Sequence, residues 1–95
     1  MQTVTEMLSE GRDNAITAAR LAEKIGVKKR ELTRMIEEER RAGAPICAAC
    51  GQNPGYFLAK NEKELQEYID ALYFRAGEIF KTRRALMKAR EKFNS

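Results

Sequence analysis

The chain has 95 residues, of which 43% are hydrophobic and 34% charged, and it carries 18 lysines and arginines against 14 acids, a formal net charge of +4. This length supports one hydrophobic core, and the apolar fraction argues against wholesale disorder. The absence of histidine excludes His-based acid–base catalysis, Ser–His and Cys–His nucleophile pairs and His-containing zinc sites. Without a long apolar run or a signal-like start, we expect a cytoplasmic, non-catalytic binding protein that needs no cofactor and does not enter a membrane.

Three short helices are predicted in the first half of the chain. Apolar residues spaced by three and four predict a helix over residues 3–9 that ends at Gly11. A loop and an extended pair at residues 15–16 follow, and Thr17 is a typical N-cap for a helix over residues 18–25. Gly26 is expected to end that helix in the left-handed conformation. The next helix should run from about Lys28 to Ala42, before Gly43.

A β-hairpin and one long helix are predicted in the second half. Residues 44–48 and 56–59 have the composition of two short strands. The stretch between them, which contains Cys-Gly-Gln-Asn-Pro-Gly, is a dense turn signal. Asn61 is a typical N-cap for a helix that can continue to about Phe93. The predicted fold class is therefore mainly α with a small β-hairpin, followed by a long C-terminal helix.

The order of these elements is that of a winged helix-turn-helix. Residues 15–27, Ala-Ile-Thr-Ala-Ala-Arg-Leu-Ala-Glu-Lys-Ile-Gly-Val, are typical of a helix-turn-helix opening. Residues 40–46, Arg-Arg-Ala-Gly-Ala-Pro-Ile, are typical of its exit into the wing, and residues 55–58, Gly-Tyr-Phe-Leu, of the wing's return. The chain resembles the DNA-binding domain of biotin-operon repressors and small phage or prophage helix-turn-helix proteins over about half of its length. The resemblance implies a winged helix-turn-helix domain at residues 1–60 that regulates transcription by binding double-stranded DNA.

Two residues depart from the family pattern. Lys28 lies where a Ser or Thr usually caps the recognition helix, so the capping oxygen is missing. Glu39 replaces the Leu that usually closes this helix onto the core. Because a buried, unpaired carboxylate is costly, we expect Glu39 to be exposed or paired with a base, either Arg20 or one on the long helix.

The resemblance also names the residues that would contact DNA. In this class the second helix of the pair lies in the major groove, with its N-terminal residues at the base edges. Lysine, arginine and threonine side chains can bond to or touch those edges. The predicted DNA-binding residues are Thr17, Lys28, Lys29, Arg30, Thr33 and Arg34, with Gln52 and Asn53 at the wing tip. An ordinary solvated basic face and a plain polar turn are the alternatives for these two groups.

Cys47 and Cys50 form a Cys-Ala-Ala-Cys pair inside the predicted hairpin. A structural zinc site needs four ligands, so metal binding would require two chains to share their thiolates. Redox chemistry of the thioredoxin type requires the pair at a helix N-terminus after a strand. We therefore expect no metal, and interpret the pair as one strand residue and one turn residue.

The long helix carries an apolar stripe in alternating steps of four and three over four heptads. The predicted dimerisation residues on this stripe are Leu72, Ile79, Phe80, Leu86, Met87 and Phe93. We expect the first half of residues 61–95 to pack back on the winged helix and the second half to pair with another chain. Arg83 and Arg90 on the stripe disfavour a tight parallel dimer, which leaves an antiparallel pair or one whose arginine heads reach solvent.

A second hypothesis stays open beside DNA binding. Winged helices also dock on proteins, and a fold does not determine a function. The mixed charge of residues 28–42 and the uncharged wing tip favour an adaptor in a replication or phage packaging complex.

Overall fold

The computed structural model describes residues 3–49 and 54–93. Four helices are present, α1 (Val4–Met7), α2 (Ala18–Ile25), α3 (Lys29–Arg41) and α4 (Glu62–Arg90), with strands β1 (Ile46–Ala49) and β2 (Gly55–Leu58) between α3 and α4. Short 3-10 turns occupy Arg12–Asn14 and Glu91–Phe93. The predicted class, mainly α with a small β-hairpin and a long C-terminal helix, is confirmed. The chain divides into two units, Met1–Leu65 and Gln66–Ser95.

Helix α1 is shorter than the predicted helix over residues 3–9. It ends at Met7, with Leu8 already in extended conformation. The carbonyl of Ser9 accepts a hydrogen bond from the Leu58 amide at 2.9 Å, and the Gly11 amide donates to the Leu58 carbonyl at 2.8 Å. The predicted last turn is therefore lost because these backbone groups pair with β2 instead.

The bounds of α2 and its exit follow the sequence prediction. The Thr17 hydroxyl accepts from the Arg20 amide at 3.3 Å, as an N-cap does. Gly26 has a φ of 86°, in the left-handed region, where a glycine avoids the steric cost of a Cβ. Both the Gly26 and the Val27 amides donate to the Ala22 carbonyl, at 2.8 and 3.0 Å. This tight turn allows α3 to begin only four residues after α2 ends.

The hairpin is antiparallel, with Cys47 opposite Phe57 and Ala48 opposite Tyr56. The second edge of β2 is also used, because Ile16 exchanges two backbone hydrogen bonds with Tyr56, at 2.8 and 3.0 Å. The predicted extended piece at residues 15–16 is thus confirmed as a bridge to the hairpin. Strand β2 consequently lies between β1 and the segments around Glu10 and Ile16.

One apolar core holds the first unit together. It draws large buried side chains from α1, α2, α3 and β1, among them Val4, Leu21, Leu32 and Ile46. Phe57 of β2 is buried as well. Within the described residues no polar or charged residue is buried, so no side chain of this kind requires a hydrogen-bond partner inside the core.

Helix α4 is stabilised by local interactions. The Asn61 side chain accepts from the Glu64 amide at 2.9 Å, which confirms the predicted N-cap. Further along, Gln66 donates to Asp70 at 2.9 Å and Lys81 to Glu78 at 3.2 Å. None of the 29 residues of α4 is buried. The predicted packing of its first half on the preceding domain stays a prediction. In the described part of the chain, no helix combines the length and the apolar character that spanning a membrane requires.

Candidate nucleic-acid interface

Helix α3 divides its residues between the core and solvent. Leu32, Met35 and Ile36 are buried, and their spacing of three and four places them on one side of the helix. The five predicted DNA-binding residues around α3 are all exposed, namely Lys28, Lys29, Arg30, Thr33 and Arg34. The core thus uses one side of α3 and leaves its predicted reading side exposed to solvent.

The start of α3 carries three consecutive basic residues, Lys28, Lys29 and Arg30. Lys28 occupies the N-cap position and makes no side-chain capping bond, as its residue type predicts. Among the described residues, no ion pair involves Lys28, Lys29 or Arg30. The Thr33 hydroxyl donates to the Lys29 carbonyl at 3.1 Å, so it is held against its own helix and its oxygen can still accept a hydrogen bond.

Arg34 is paired within its own helix. Its guanidinium contacts the carboxylates of Glu31 and Glu38, three and four residues away, and its Nε donates to Glu31 Oε2 at 3.1 Å. The hydrogen bond and attraction of Glu31, followed by the attraction of Glu38, raise the pKa of Arg34. The side-chain hydrogen bond from Arg34, together with its positive charge, in turn lowers the pKa of Glu31 against the opposing effect of desolvation. All three side chains are exposed enough for water to screen these pairs.

Glu39 has a different partner from the predicted base. Its carboxylate accepts from the backbone amides of Val4 and Thr5, both at 2.8 Å, and from the Thr5 hydroxyl at 2.6 Å. Partial burial raises the pKa of Glu39, but the hydrogen bonds from Thr5 and Val4 together outweigh burial and lower it. The expectation that Glu39 is not left buried and unpaired is confirmed, but the suggested partners, Arg20 or a base on the long helix, are wrong. The partners of Glu39 are instead the backbone amides in the first turn of α1, because unpaired donors at a helix N-terminus attract a carboxylate.

The hairpin approaches the start of α2 through Gly55. A Cβ built on Gly55 would lie 2.7 Å from the Ile16 carbonyl oxygen and 2.8 Å from its carbon. No side chain fits there, because backbone atoms of a paired segment cannot move away cheaply. The pattern Asn-Pro-Gly predicts a turn, but only the bridge to Ile16 explains why residue 55 is glycine.

A cleft of about 340 Å³ opens between the hairpin and the starts of α2 and α3. Its lining includes Thr17, Ala18, Lys29, Pro54 and Tyr56. Thr17 and Lys29, predicted separately as DNA-binding residues, therefore line one cleft. Nothing in the local sequence patterns reveals this cleft, since its walls come from three separate segments. Gln52 and Asn53, predicted at the wing tip, lie outside the described residues.

Cys47 is a buried free cysteine of β1. Burial and the nearby Glu64 carboxylate raise the pKa of its thiol, against a smaller opposing effect of Arg40. The thiol form of Cys47 is thus favoured over the thiolate. A thiol is a poor metal ligand compared with a thiolate. The prediction of a strand residue is confirmed for Cys47, while Cys50 lies outside the described residues. The described residues contain no group of three acidic, cysteine or histidine side chains that could hold a metal ion.

The second unit leaves its apolar stripe in solvent. The six predicted dimerisation residues are exposed, from 40% for Met87 to 87% for Phe93. Ile79, Leu86 and Met87 line an open groove of about 620 Å³ along α4, together with Arg83 and Arg90. Contiguous exposed apolar side chains of this kind are typical of interaction surfaces.

Comparisons with models of protein families, with curated proteins and with solved structures found no match. The resemblance of residues 15–58 to winged helix-turn-helix domains stays a prediction. The arrangement of exposed bases on α3, the bridge from Ile16 to the hairpin and the exposed stripe of α4 are the observations on which a functional proposal can rest.

Proposed function

We propose that this chain is a sequence-reading, double-stranded DNA-binding protein of the winged helix-turn-helix type, with α3 as its recognition helix and a second copy bound through α4. In this role it regulates transcription and needs neither catalysis nor a cofactor. The observation that carries the proposal is the division of α3. The core takes Leu32, Met35 and Ile36, while Lys29, Arg30 and Arg34 remain exposed on the rest of the helix.

The chain path around α3 supports the same proposal. A tight glycine turn separates α2 from α3, and the hairpin follows α3 after a short connection. Ile16, between α1 and α2, pairs with Tyr56 of the hairpin. A helix pair of this kind presents the N-terminal residues of its second helix to the major groove. Lys29 and Arg30 occupy those positions here.

The pairing of Arg34 with Glu31 and Glu38 is compatible with DNA binding. The three side chains are solvent-exposed, and exposed ion pairs contribute little to stability. A guanine edge or a phosphate can therefore replace one carboxylate at small cost. The two carboxylates also repel phosphates, which disfavours non-specific binding relative to a site that offers Arg34 a bidentate base contact.

The test is a DNA-binding titration with two variants of equal charge loss. Arg30→Ala combined with Arg34→Ala removes two bases from the proposed reading side, and Arg12→Ala combined with Lys60→Ala removes two exposed bases outside α3 and α4. On a duplex selected from a random pool, we expect the α3 variant to lose about a hundredfold or more in affinity, since each base contact contributes roughly 1–3 kcal/mol. The variant at residues 12 and 60 should retain most of the affinity. Equal affinities for both variants and the unaltered chain would contradict the proposal.

An adaptor function is the second candidate, and the Arg34 pairs are the observation that favours it. Glu31, Arg34 and Glu38 give the exposed side of α3 alternating charges, which suits a protein surface with matching charges better than a phosphate backbone. A salt titration separates the two functions. DNA binding through phosphate contacts weakens steeply as salt rises, whereas an adaptor shows no binding to selected or random duplexes at low salt.

Dimer formation is proposed from the exposed stripe of α4. Ile79 and Leu86 are 60% and 66% exposed, as is Phe74 at 72% on the opposite side of the helix. We expect light scattering of the full chain at tens of micromolar to give a dimeric mass. Ile79→Ser combined with Leu86→Ser should give a monomeric mass, and Phe74→Ser should leave the dimer intact. A monomeric mass for the unaltered chain would contradict dimer formation without affecting the DNA-binding proposal.

A further inference from the structure

We propose that α4 pairs with α4 of a second copy in antiparallel orientation, with Ile69 of one chain opposite Leu86 of the other. The inference rests on the proposed dimer and adds its orientation and register. It draws on three features of the helix: the composition of its exposed stripe, the two arginines within that stripe, and the separation of acids and bases along its length.

The exposed stripe of α4 consists of neighbouring rows. One row contains Leu72, Ile79 and Leu86 at intervals of seven, and a flanking row on one side contains Tyr73 and Phe80 at the same interval. All five side chains are exposed. Rows that repeat every seven residues form a continuous seam against a second helix. A second α-helix is therefore an occupant with the right shape for this stripe.

The arginines of the stripe decide between the two orientations. Ile69, Ala76, Arg83 and Arg90 form the row that lies between these two rows, again at intervals of seven. In a parallel pair in register, each residue of such a row faces its own copy. Arg83 would meet Arg83 and Arg90 would meet Arg90, so like charges would be held together. In an antiparallel pair this row faces the row of leucines instead.

The charges outside the stripe favour the same orientation. Residues 62–70 carry four acids against one base, Lys63, whereas residues 81–92 carry six bases against one acid, Glu91. A parallel pair would place acids beside acids and bases beside bases. An antiparallel pair places the acidic start of each helix beside the basic end of the other. The helix is thus complementary in charge to a reversed copy of itself.

The register follows from maximal overlap of the two stripes. With Ile69 opposite Leu86, Ala76 lies opposite Ile79 and Tyr73 lies beside Phe80 of the second copy, each contact occurring twice. Nearly the whole helix overlaps, a length of about 40 Å at 1.5 Å per residue. Ala76 then provides room where the β-branched Ile79 enters, and the two aromatic rings cover the same flank of the seam.

Disulfide cross-linking tests the orientation. In chains carrying Cys47→Ala and Cys50→Ala, Ile69→Cys and Leu86→Cys variants are unfolded and refolded together before oxidation. We expect cross-linked dimers from the mixture and none from either variant alone. In the antiparallel pair, the two copies of residue 69 lie about 25 Å apart, 17 residues along the helices, beyond disulfide reach. Phe74→Cys, on the opposite side of α4, serves as the control that does not cross-link.

Two cross-linking results would overturn the inference. Efficient cross-linking of Ile69→Cys with itself means a parallel pair. A dimeric mass without cross-links in the mixture means another register or another surface. A monomeric mass for the unaltered chain would contradict the proposed dimer itself. The DNA-binding proposal would be unaffected, because the titration of the Arg30 and Arg34 variant tests it separately.

A salt series on the unaltered chain needs no substitution. Salt screens exposed charges, so the antiparallel pair, held partly by attraction between acids and bases, should dissociate at higher protein concentrations as salt rises. We expect the dimer dissociation constant to increase severalfold between low and high salt by analytical ultracentrifugation. A dissociation constant that falls with salt means that like charges face each other, and would overturn the antiparallel orientation.

Discussion

The two units of this chain use apolar side chains in opposite ways. In residues 3–65, helices of four to thirteen residues and a small hairpin bury their apolar side chains in one core. In residues 66–93, a single helical segment carries nine large apolar side chains that are exposed, from Ile69 to Phe93. Lys81 donates to Glu78 three residues away, and Gln66 donates to Asp70 four residues away.

The difference reflects how much each element depends on tertiary contacts. Isolated helices shorter than about 12–15 residues are marginal in water, so α1 and α2 need the core in order to exist. The long helix α4 satisfies its backbone within itself and gains from local pairs. Its apolar stripe is therefore not required for the fold of the first unit and remains open to a partner.

The largest expected effect distinguishes a core leucine from a stripe leucine. Leu32 is 1% exposed and Leu86 is 66% exposed. Leu32→Ala should lower the free energy of unfolding by about 2–5 kcal/mol, since it leaves a cavity in the core. Leu86→Ala should remove only the part of the stability that depends on protein concentration. Urea unfolding at two widely separated protein concentrations measures both effects. A loss of stability for Leu86→Ala that does not depend on protein concentration would contradict the comparison.

The next effect separates two glycines with opposite roles. Gly55→Ala forces a methyl group against the Ile16 backbone and should cost about 1–3 kcal/mol, typical of overpacking. Gly77, within α4, has nothing within 4 Å of a built Cβ. Gly77→Ala should stabilise the helix by about 1 kcal/mol, since alanine favours helix more than glycine does. Thermal unfolding of both variants tests this prediction. Changes in the unfolding temperature of the same sign for Gly55→Ala and Gly77→Ala would refute it.

The third effect is a pH dependence at the contact between α3 and α1. Glu39 has a lowered pKa, so its stabilisation is fully present above its ordinary value near 4.5 and is lost as the pH falls through the folded value. Glu39→Gln should therefore cost about 1–2 kcal/mol at neutral pH, in line with hydrogen bonds to a charged acceptor. The difference from the unaltered chain should vanish in acid.

Glu37→Gln provides the control for this titration. Glu37 is exposed on the same helix, so its substitution should leave the unfolding free energy nearly unchanged across the pH range. Chemical denaturation from neutral pH to about pH 3 makes the measurement. If the loss for Glu39→Gln persisted unchanged in acid, the carboxylate would not be the stabilising form.

Local patterns were sufficient for most of the secondary structure. The bounds of α2, its Thr17 cap and the left-handed Gly26 depend on residues adjacent in sequence, and each was predictable. The same holds for the hairpin, the Asn61 cap and the long helix. The exposure of the predicted DNA-binding residues at 28–30 and 33–34 follows from the inward spacing of Leu32, Met35 and Ile36. Helical periodicity alone assigns those two faces.

Tertiary structure decided what those patterns could not. The end of α1 at Met7, the partner of Glu39 and the need for glycine at position 55 each involve backbone groups more than 30 residues away. A sequence pattern records which faces are apolar, but it does not record which backbone donors and acceptors are left unpaired. Those unpaired groups determined where Glu39, Ser9 and Ile16 found their partners, because a partly buried polar group is stable only when it is hydrogen-bonded.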